Sequence, residues 1–297
     1  MSVYDTAFDC EVRCTVTGPE NAATVVYLPG LHGDCTLFGG LRARLAERFR
    51  IVEVAYPRDR DDGLNGLATA VIRALQEAGI PGGTLLAESF GSQVAWAILR
   101  VAPTSFQTER LCLAGGFVSH PWPWAVRLTG GFQFGTASPL LAAMVQLLPR
   151  IAPWIGESWV GSREAIRRFV AERKRNGDRL AMSRRLRMIL DEDLRPTAAN
   201  TSIPVHQLSG FWDLVVPWWS VDRWLRRHCP GRRGPCRLVN TDHAVLFNRP
   251  TVAAAWLAGI LDAGGLLENT GFTPNRLASG SSTRSPGNEP EHVKGHR

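Results

Sequence analysis

The sequence predicts an α/β protein: a doubly wound, mainly parallel sheet with helices on both faces and a helical cap inserted between its two halves. Short apolar, β-branched runs alternate with longer segments of helical period in residues 1–115 and again in 201–267. The 85 residues between these stretches carry helical patterns and no strand pattern. Composition bounds the alternatives: of 297 residues, 44% are hydrophobic and 21% charged, which suits a compact globular chain and excludes a disordered, fibrous or coiled-coil one.

The first strand, Val25-Val-Tyr-Leu28, runs into Pro29-Gly30, and a helix over Leu41–Phe49 follows. The strand Ile51–Ala55 ends in Tyr-Pro and leads to a helix over Leu64–Ala78, with Leu67, Val71 and Leu75 on one face. Thr84–Ala87 is the next strand, cut at Ser89, and Ser92–Val101 the next helix, carrying Val94, Ile98 and Leu99. Leu111–Ala114 ends in Gly-Gly, and there the alternation stops. The insertion, 116–200, holds Trp122-Pro-Trp124, an apolar helix near Leu140–Leu148 and two basic amphipathic helices. One turns Ile166, Phe169 and Val170 inward, the other Leu186, Ile189 and Leu190. The alternation resumes with the strand Val205–Ser209, a helix from about Pro217, the strand Arg237–Asn240 and a helix over Pro250–Leu261. Pro217 and Pro250 suit first helical turns, where no backbone donor is required. Residues 268–297 turn polar and rich in Ser, Gly and Pro, and read as a disordered tail.

Thirty-four basic against 27 acidic residues give a net charge of +7, which raises the question of a nucleic-acid or membrane partner. Its distribution answers the question. Residues 1–115 and 201–267 are together neutral, whereas 116–200 hold 13 basic and 7 acidic side chains, ten of the basic ones between 162 and 187. Those helices lack the aromatic interleaving that stacks bases, so no nucleic-acid partner is expected. The charge reads as the solvated face of two cap helices, or alternatively as a weak contact to an anionic surface or a device steering anionic or lipid-borne substrates. The most apolar stretch, Ala137–Trp154, is broken by Pro139, Pro149, Arg150 and Pro153, so no spanning helix is expected. The N-terminus has an early Asp5 and no apolar run, which gives no secretory signal and a cytoplasmic expectation. The six cysteines form no CxxC pair and read as reduced thiols. Cys229 and Cys236 near His228 match no common zinc spacing, and neither a metal nor a cofactor is expected.

The chemistry centres on Ala87-Glu88-Ser89-Phe90-Gly91, which follows an apolar strand and opens a helix. Small residues two before and two after the serine let strand and helix approach around a sharp turn, as a nucleophile elbow requires. A serine there can instead be a plain helix cap, so its partners decide. A carboxylate, Asp213, follows the strand Val205–Ser209, and a histidine, His243, follows Arg237–Asn240. Parallel strands end on one edge, so Ser89, Asp213 and His243 converge in the chain order nucleophile, acid, base. Asp213 could instead cap the helix near Pro217, and Asp242 is a rival acid, although it would need an awkward turn to meet the imidazole beside it. The loop Leu28-Pro29-Gly30-Leu31-His32-Gly33-Asp34 offers the backbone amide of Leu31, and the turn offers that of Phe90, as donors to an oxyanion. His32 contacts substrate or stabilises this loop. Neither GxGxxG nor GxxxxGK[ST] spacing occurs in it, which argues against a nucleotide.

With Pro29-Gly30-Leu31, Ala87-Glu88-Ser89-Phe90-Gly91, Gly210-Phe-Trp-Asp213 with Val216-Pro217, and Asp242-His243 in order, residues 23–262 resemble the α/β-hydrolase superfamily, in the branch with a helical cap inserted after the sixth strand. The departures are Ala87, where the elbow usually has glycine, and Pro29, where many relatives have histidine. The resemblance implies a cofactor-free serine hydrolase cleaving a carboxylic ester, lactone or thioester through an acyl-enzyme on Ser89. An acyltransferase and a non-hydrolytic ligand-binding or signalling protein are the alternatives. The cap would set specificity, with Trp122, Trp124, Phe132, Phe134 and Trp154 as pocket walls or as packing of the cap on the core. The expected partner is a small ester-like molecule with an apolar acyl part.

Overall fold

Residues with β-branched and large apolar side chains on consecutive positions must bury both faces of a strand, and the sheet here does so. The computed structural model describes residues 11–127 and 179–269. Its strands are β1 (Arg13–Thr17), β2 (Thr24–Leu28), β3 (Arg50–Ala55), β4 (Gly82–Glu88), β5 (Gln107–Ala114), β6 (Val205–Gly210) and β7 (Arg237–Val239). They form one sheet in the order β1-β3-β2-β4-β5-β6-β7, parallel throughout except for the pair β1 and β3.

Side chains alternate between two cores. Val26, Leu28, Val52, Leu85 and Leu113 pack against the helices α2 (Gly63–Glu77) and α3 (Gly91–Val101) on one face. Val25, Tyr27, Ile51, Leu86 and Cys112 pack on the other face with α1 (Gly39–Leu45) and the later helices α7 (Val245–Asn248) and α8 (Pro250–Asn269). The remaining helices are α4 (Arg179–Asp191), α5 (Arg195–Ala199) and α6 (Trp218–His228). The chain divides into two compact units, Met1–Leu261 and Asp262–Arg297, and of the second the structure describes the run of α8 to Asn269. Among the described residues no helix is long and apolar enough to cross a membrane.

The elements follow the sequence pattern with corrections. The insertion leaves the sheet after the fifth described strand, not the sixth, because β1 alone precedes the loop strand β2. β1 itself has no apolar run to announce it: it is an antiparallel edge strand with no fully buried side chain. Pro217 is the cap of α6, in extended conformation (ψ 100°), rather than a residue of its first turn. The apolar helix near Leu140–Leu148, the helix bearing Ile166, Phe169 and Val170, and the polar tail beyond Asn269 lie outside the described residues. The other basic helix expected in 116–200 is α4. It buries Leu186 but also Arg185, whose side chain is only 3% exposed, so the solvated-face assignment of the charge fails there. Arg184 beside it donates to Asp59 Oδ1 at 2.9 Å and to the Arg58 carbonyl at 3.3 Å, fastening α4 to the loop after β3.

Trp96 of α3 is the largest fully buried side chain in this core. Trp96→Ala should cost about 3–5 kcal/mol in chemical denaturation, whereas Trp212→Ala, at a ring that is 62% exposed, should fall within about 0.5 kcal/mol of the parent.

Candidate active site

The turn from β4 into α3 places Ser89. Its φ is 49°, the left-handed region, and among the described residues no other non-glycine residue has a positive φ. Several bonds hold it there. The Ser89 amide donates to the Ala114 carbonyl (3.0 Å), and the Ser89 carbonyl accepts from the amide (3.0 Å) and the hydroxyl (2.6 Å) of Ser92. Glycine is required two residues on, because a Cβ at Gly91 would lie 2.1 Å from the Leu28 carbonyl oxygen. Ala87 is wholly buried within β4, so the elbow accommodates its extra methyl without opening.

His243 arrives from the loop after β7. Its Nε2 lies 2.8 Å from Ser89 Oγ and its Nδ1 lies 2.7 Å from Asp213 Oδ2. A carboxylate can only accept, so Nδ1 carries the proton and Nε2 is left to accept from the serine hydroxyl. Asp213, fully buried beyond β6, also accepts from the amides of Val215 (3.0 Å) and Val216 (2.8 Å) through Oδ1. These amides precede α6, whose cap has no side-chain bond, so the helix-capping alternative for Asp213 does not apply. The rival carboxylate, Asp242, accepts from the Ala244 amide (3.0 Å) and Asn248 Nδ2 (2.7 Å) and orders the histidine loop. Gly115 and Gly210 let that loop approach: a Cβ at Gly115 would sit 3.1 Å from His243 Nδ1, and one at Gly210 only 2.0 Å from the Asp242 carbonyl oxygen.

Burial works against a charged imidazole, yet the hydrogen bond and charge of Asp213, with Glu88 and Asp242, outweigh it and raise the His243 pKa above its ordinary 6.5. Glu88, inside the elbow, is raised by burial and accepts a hydrogen bond from the Tyr27 hydroxyl. His120 is pushed down to about 4, chiefly by burial, while its Nδ1 accepts from the Trp122 amide at 3.2 Å.

Leu31 lies in a turn closed by Gly33 N–H to the Gly30 carbonyl (2.9 Å). Neither the Leu31 nor the Phe90 amide donates to a backbone carbonyl among the described residues. Both residues border a cavity of about 290 Å³ that opens on Ser89. Phe117, Val126, Leu186, Ile189 and Leu214–Val216 make its wall apolar, and His120 and Trp122 complete one side. Of the residues expected to touch substrate, Trp122 lines this cavity. His32 is not among its lining residues, and neither is Trp124, which is 59% exposed and pairs with the Trp122 ring at 6.3 Å. Phe132, Phe134 and Trp154 lie outside the described residues.

No protein-family model and no curated protein sequence matches this chain. Solved structures do. The enol-lactonase of Burkholderia xenovorans superposes with a TM-score of 0.69 at 17% identity, over 84% of this chain and 96% of that one. An esterase from Exiguobacterium antarcticum gives 0.68 at 16% identity over 84% and 95%, and a Rhodococcus esterase 0.63 at 19% over 85% and 94%. The chain has the α/β-hydrolase fold.

In this α/β-hydrolase fold the structure brings together Ser89, His243, Asp213, Leu31 and Phe90 on the edge where the parallel strands end. Sequence patterns missed three polar neighbours. His120 sits where the insertion begins, with no periodicity to mark it. Glu88 occupies the variable position of the elbow, and its Tyr27 partner is 61 residues away. Arg185 looked like one of many surface arginines. The electrostatics give a direct check: in a histidine NMR titration His243 should titrate above 6.5 and His120 near 4. Asp213→Asn should move His243 downward, since it removes the charge that favours the imidazolium.

Proposed function

We propose that this protein is a serine hydrolase acting on an ester-like bond of a small molecule with an apolar acyl part. The observation that carries the proposal is the unbroken chain Ser89 Oγ, His243, Asp213, with its 2.8 and 2.7 Å contacts, beside Leu31 and Phe90, which border the same cavity and whose amides donate to no backbone carbonyl among the described residues. The enol-lactonase and esterase names of similar structures support an ester-type substrate, and the apolar cavity wall supports a compact hydrocarbon acyl group.

In the reaction, His243 Nε2 takes the Ser89 proton as Oγ attacks the substrate carbonyl carbon. The carbonyl π pair moves to oxygen, and the Leu31 and Phe90 amides stabilise that oxyanion. Asp213 holds the imidazole in the tautomer with Nδ1 protonated and stabilises the imidazolium. The oxyanion collapses, the C–O or C–S bond to the leaving group breaks, and His243 returns the proton to it. Water, deprotonated by His243, then attacks the acyl-enzyme, and the same steps release the acid and restore the serine hydroxyl.

Ser89→Ala should abolish both hydrolysis of p-nitrophenyl butyrate and labelling by a fluorophosphonate probe; undiminished labelling would refute the assignment. Asp213→Asn should lower kcat by about 10⁴-fold. Only neutral His243 accepts the serine proton, so kcat/KM should rise with pH through an inflection above 6.5, and a profile flat from pH 5 to 9 would exclude His243 as the base. Across a p-nitrophenyl ester series, activity should peak at short to medium acyl chains, as set by the roughly 290 Å³ cavity.

A further inference from the structure

We propose that Arg185 is a positioning residue, which reaches from the cap helix α4 into the core and aims the Leu31 amide at the oxyanion. The proposal rests on the serine hydrolase reading and extends it to a group that never touches substrate.

The geometry is specific to a guanidinium. Arg185 Nη1 donates to the Leu31 carbonyl at 2.8 Å and Nη2 donates to the Pro57 carbonyl at 3.0 Å, so one planar group ties the loop after β2 to the loop after β3. Its Cζ lies 5.7 Å from the centre of the Tyr56 ring. The space it fills is left by Gly33: a Cβ there would lie 2.5–2.6 Å from three guanidinium atoms, and Gly33 has a φ of +76°. Burying a guanidinium is unfavourable unless its donors find acceptors. On the same helix Arg187 remains exposed, so burial is not a general fate of the arginines of α4.

The loop is then held on three sides. Gly33 N–H closes on Gly30, the Tyr56 amide donates to the Gly33 carbonyl at 2.8 Å, and Arg185 fixes the Leu31 carbonyl. The Leu31 N–H shares a peptide plane with the Gly30 carbonyl that Gly33 N–H holds, and Arg185 holds the Leu31 carbonyl, so both peptides of a residue that borders the cavity are fixed. A donor aimed at the oxyanion acts mainly in the transition state, where charge develops on that oxygen. Loss of the clamp should therefore lower kcat and leave substrate binding nearly unchanged.

The test uses the full-length enzyme with p-nitrophenyl butyrate. Arg185→Met should lower kcat by about 10–100-fold, less than the 10²–10³-fold typical of deleting an oxyanion donor outright, with KM within about twofold of the parent. Arg185→Lys should recover only part of the loss, because one ammonium cannot span both carbonyls in the plane of a guanidinium. Millimolar guanidinium should restore activity to Arg185→Ala and not to the parent. Arg184→Met, which releases α4 from Asp59 without touching Leu31, should keep kcat within about twofold. Parental kcat in Arg185→Met, or an equal loss in Arg184→Met with no guanidinium rescue, would overturn the positioning role while an inactive Ser89→Ala upholds the serine mechanism. Full turnover by Ser89→Ala would instead overturn the serine mechanism and the positioning role with it.

Discussion

The left-handed turn at Ser89 is the constraint on which the rest of the site depends. A serine at φ 49° costs on the order of 1–3 kcal/mol, and the conformation persists because the surroundings over-determine it. The Ser89 amide continues the ladder to β5, Ser92 returns two bonds to the Ser89 carbonyl, and Gly91 lets the start of α3 lie against the Leu28 carbonyl. Ser92 Oγ also accepts the Phe117 amide at 2.9 Å, and Gln93 Nε2 donates to the Phe117 and Val118 carbonyls, so the first turn of α3 also holds the chain as it leaves β5. One strained residue thus fixes the hydroxyl, the Phe90 amide and one wall of the cavity together.

Around this point, polarity is rationed. A buried carboxylate is tolerable when its oxygens are satisfied, and Asp213 meets this condition with His243 and two amides of its own loop. The result is an imidazole whose charged form is favoured against burial, facing a cavity whose wall is otherwise apolar. His120, which borders the same cavity, is held down chiefly by desolvation, and it supplies structure to the Trp122 turn rather than charge. The two histidines show how the same side chain takes opposite protonation tendencies within one site, according to whether a carboxylate hydrogen-bonds its ring.

How much of this could be read from the sequence follows from the range of each interaction. Ser89, Asp213 and His243 were legible because each sits just past a strand with a clear apolar pattern, and parallel strands deliver their ends to one edge. Leu31 and Phe90 were legible as positions relative to those strands. Arg185 was not, because helical periodicity assigns an arginine to the outer face, and the hole that receives it is created by a missing Cβ at Gly33, 152 positions earlier. The pocket walls Leu214–Val216 gave no such signal either: they are the three residues after Asp213 in its own loop, with no aromatic ring and no periodicity to mark them. β1 escaped notice because a half-exposed edge strand needs no apolar run.

The sheet order has a kinetic consequence. Strands β1 to β5 and their helices form a contiguous stretch of chain, while β6 joins β5 only after 90 intervening residues, and Asp213 and His243 both lie beyond that junction. Closing so long a loop costs entropy before its contacts repay it. The elbow belongs to the first half of the molecule and can form with it, but the hydrogen-bonded chain Ser89–His243–Asp213 exists only once Leu111–Ala114 has registered against Val205–Leu208. Re-formation of the contact between His243 and Ser89 after dilution from denaturant therefore reports the long-range docking of the C-terminal half.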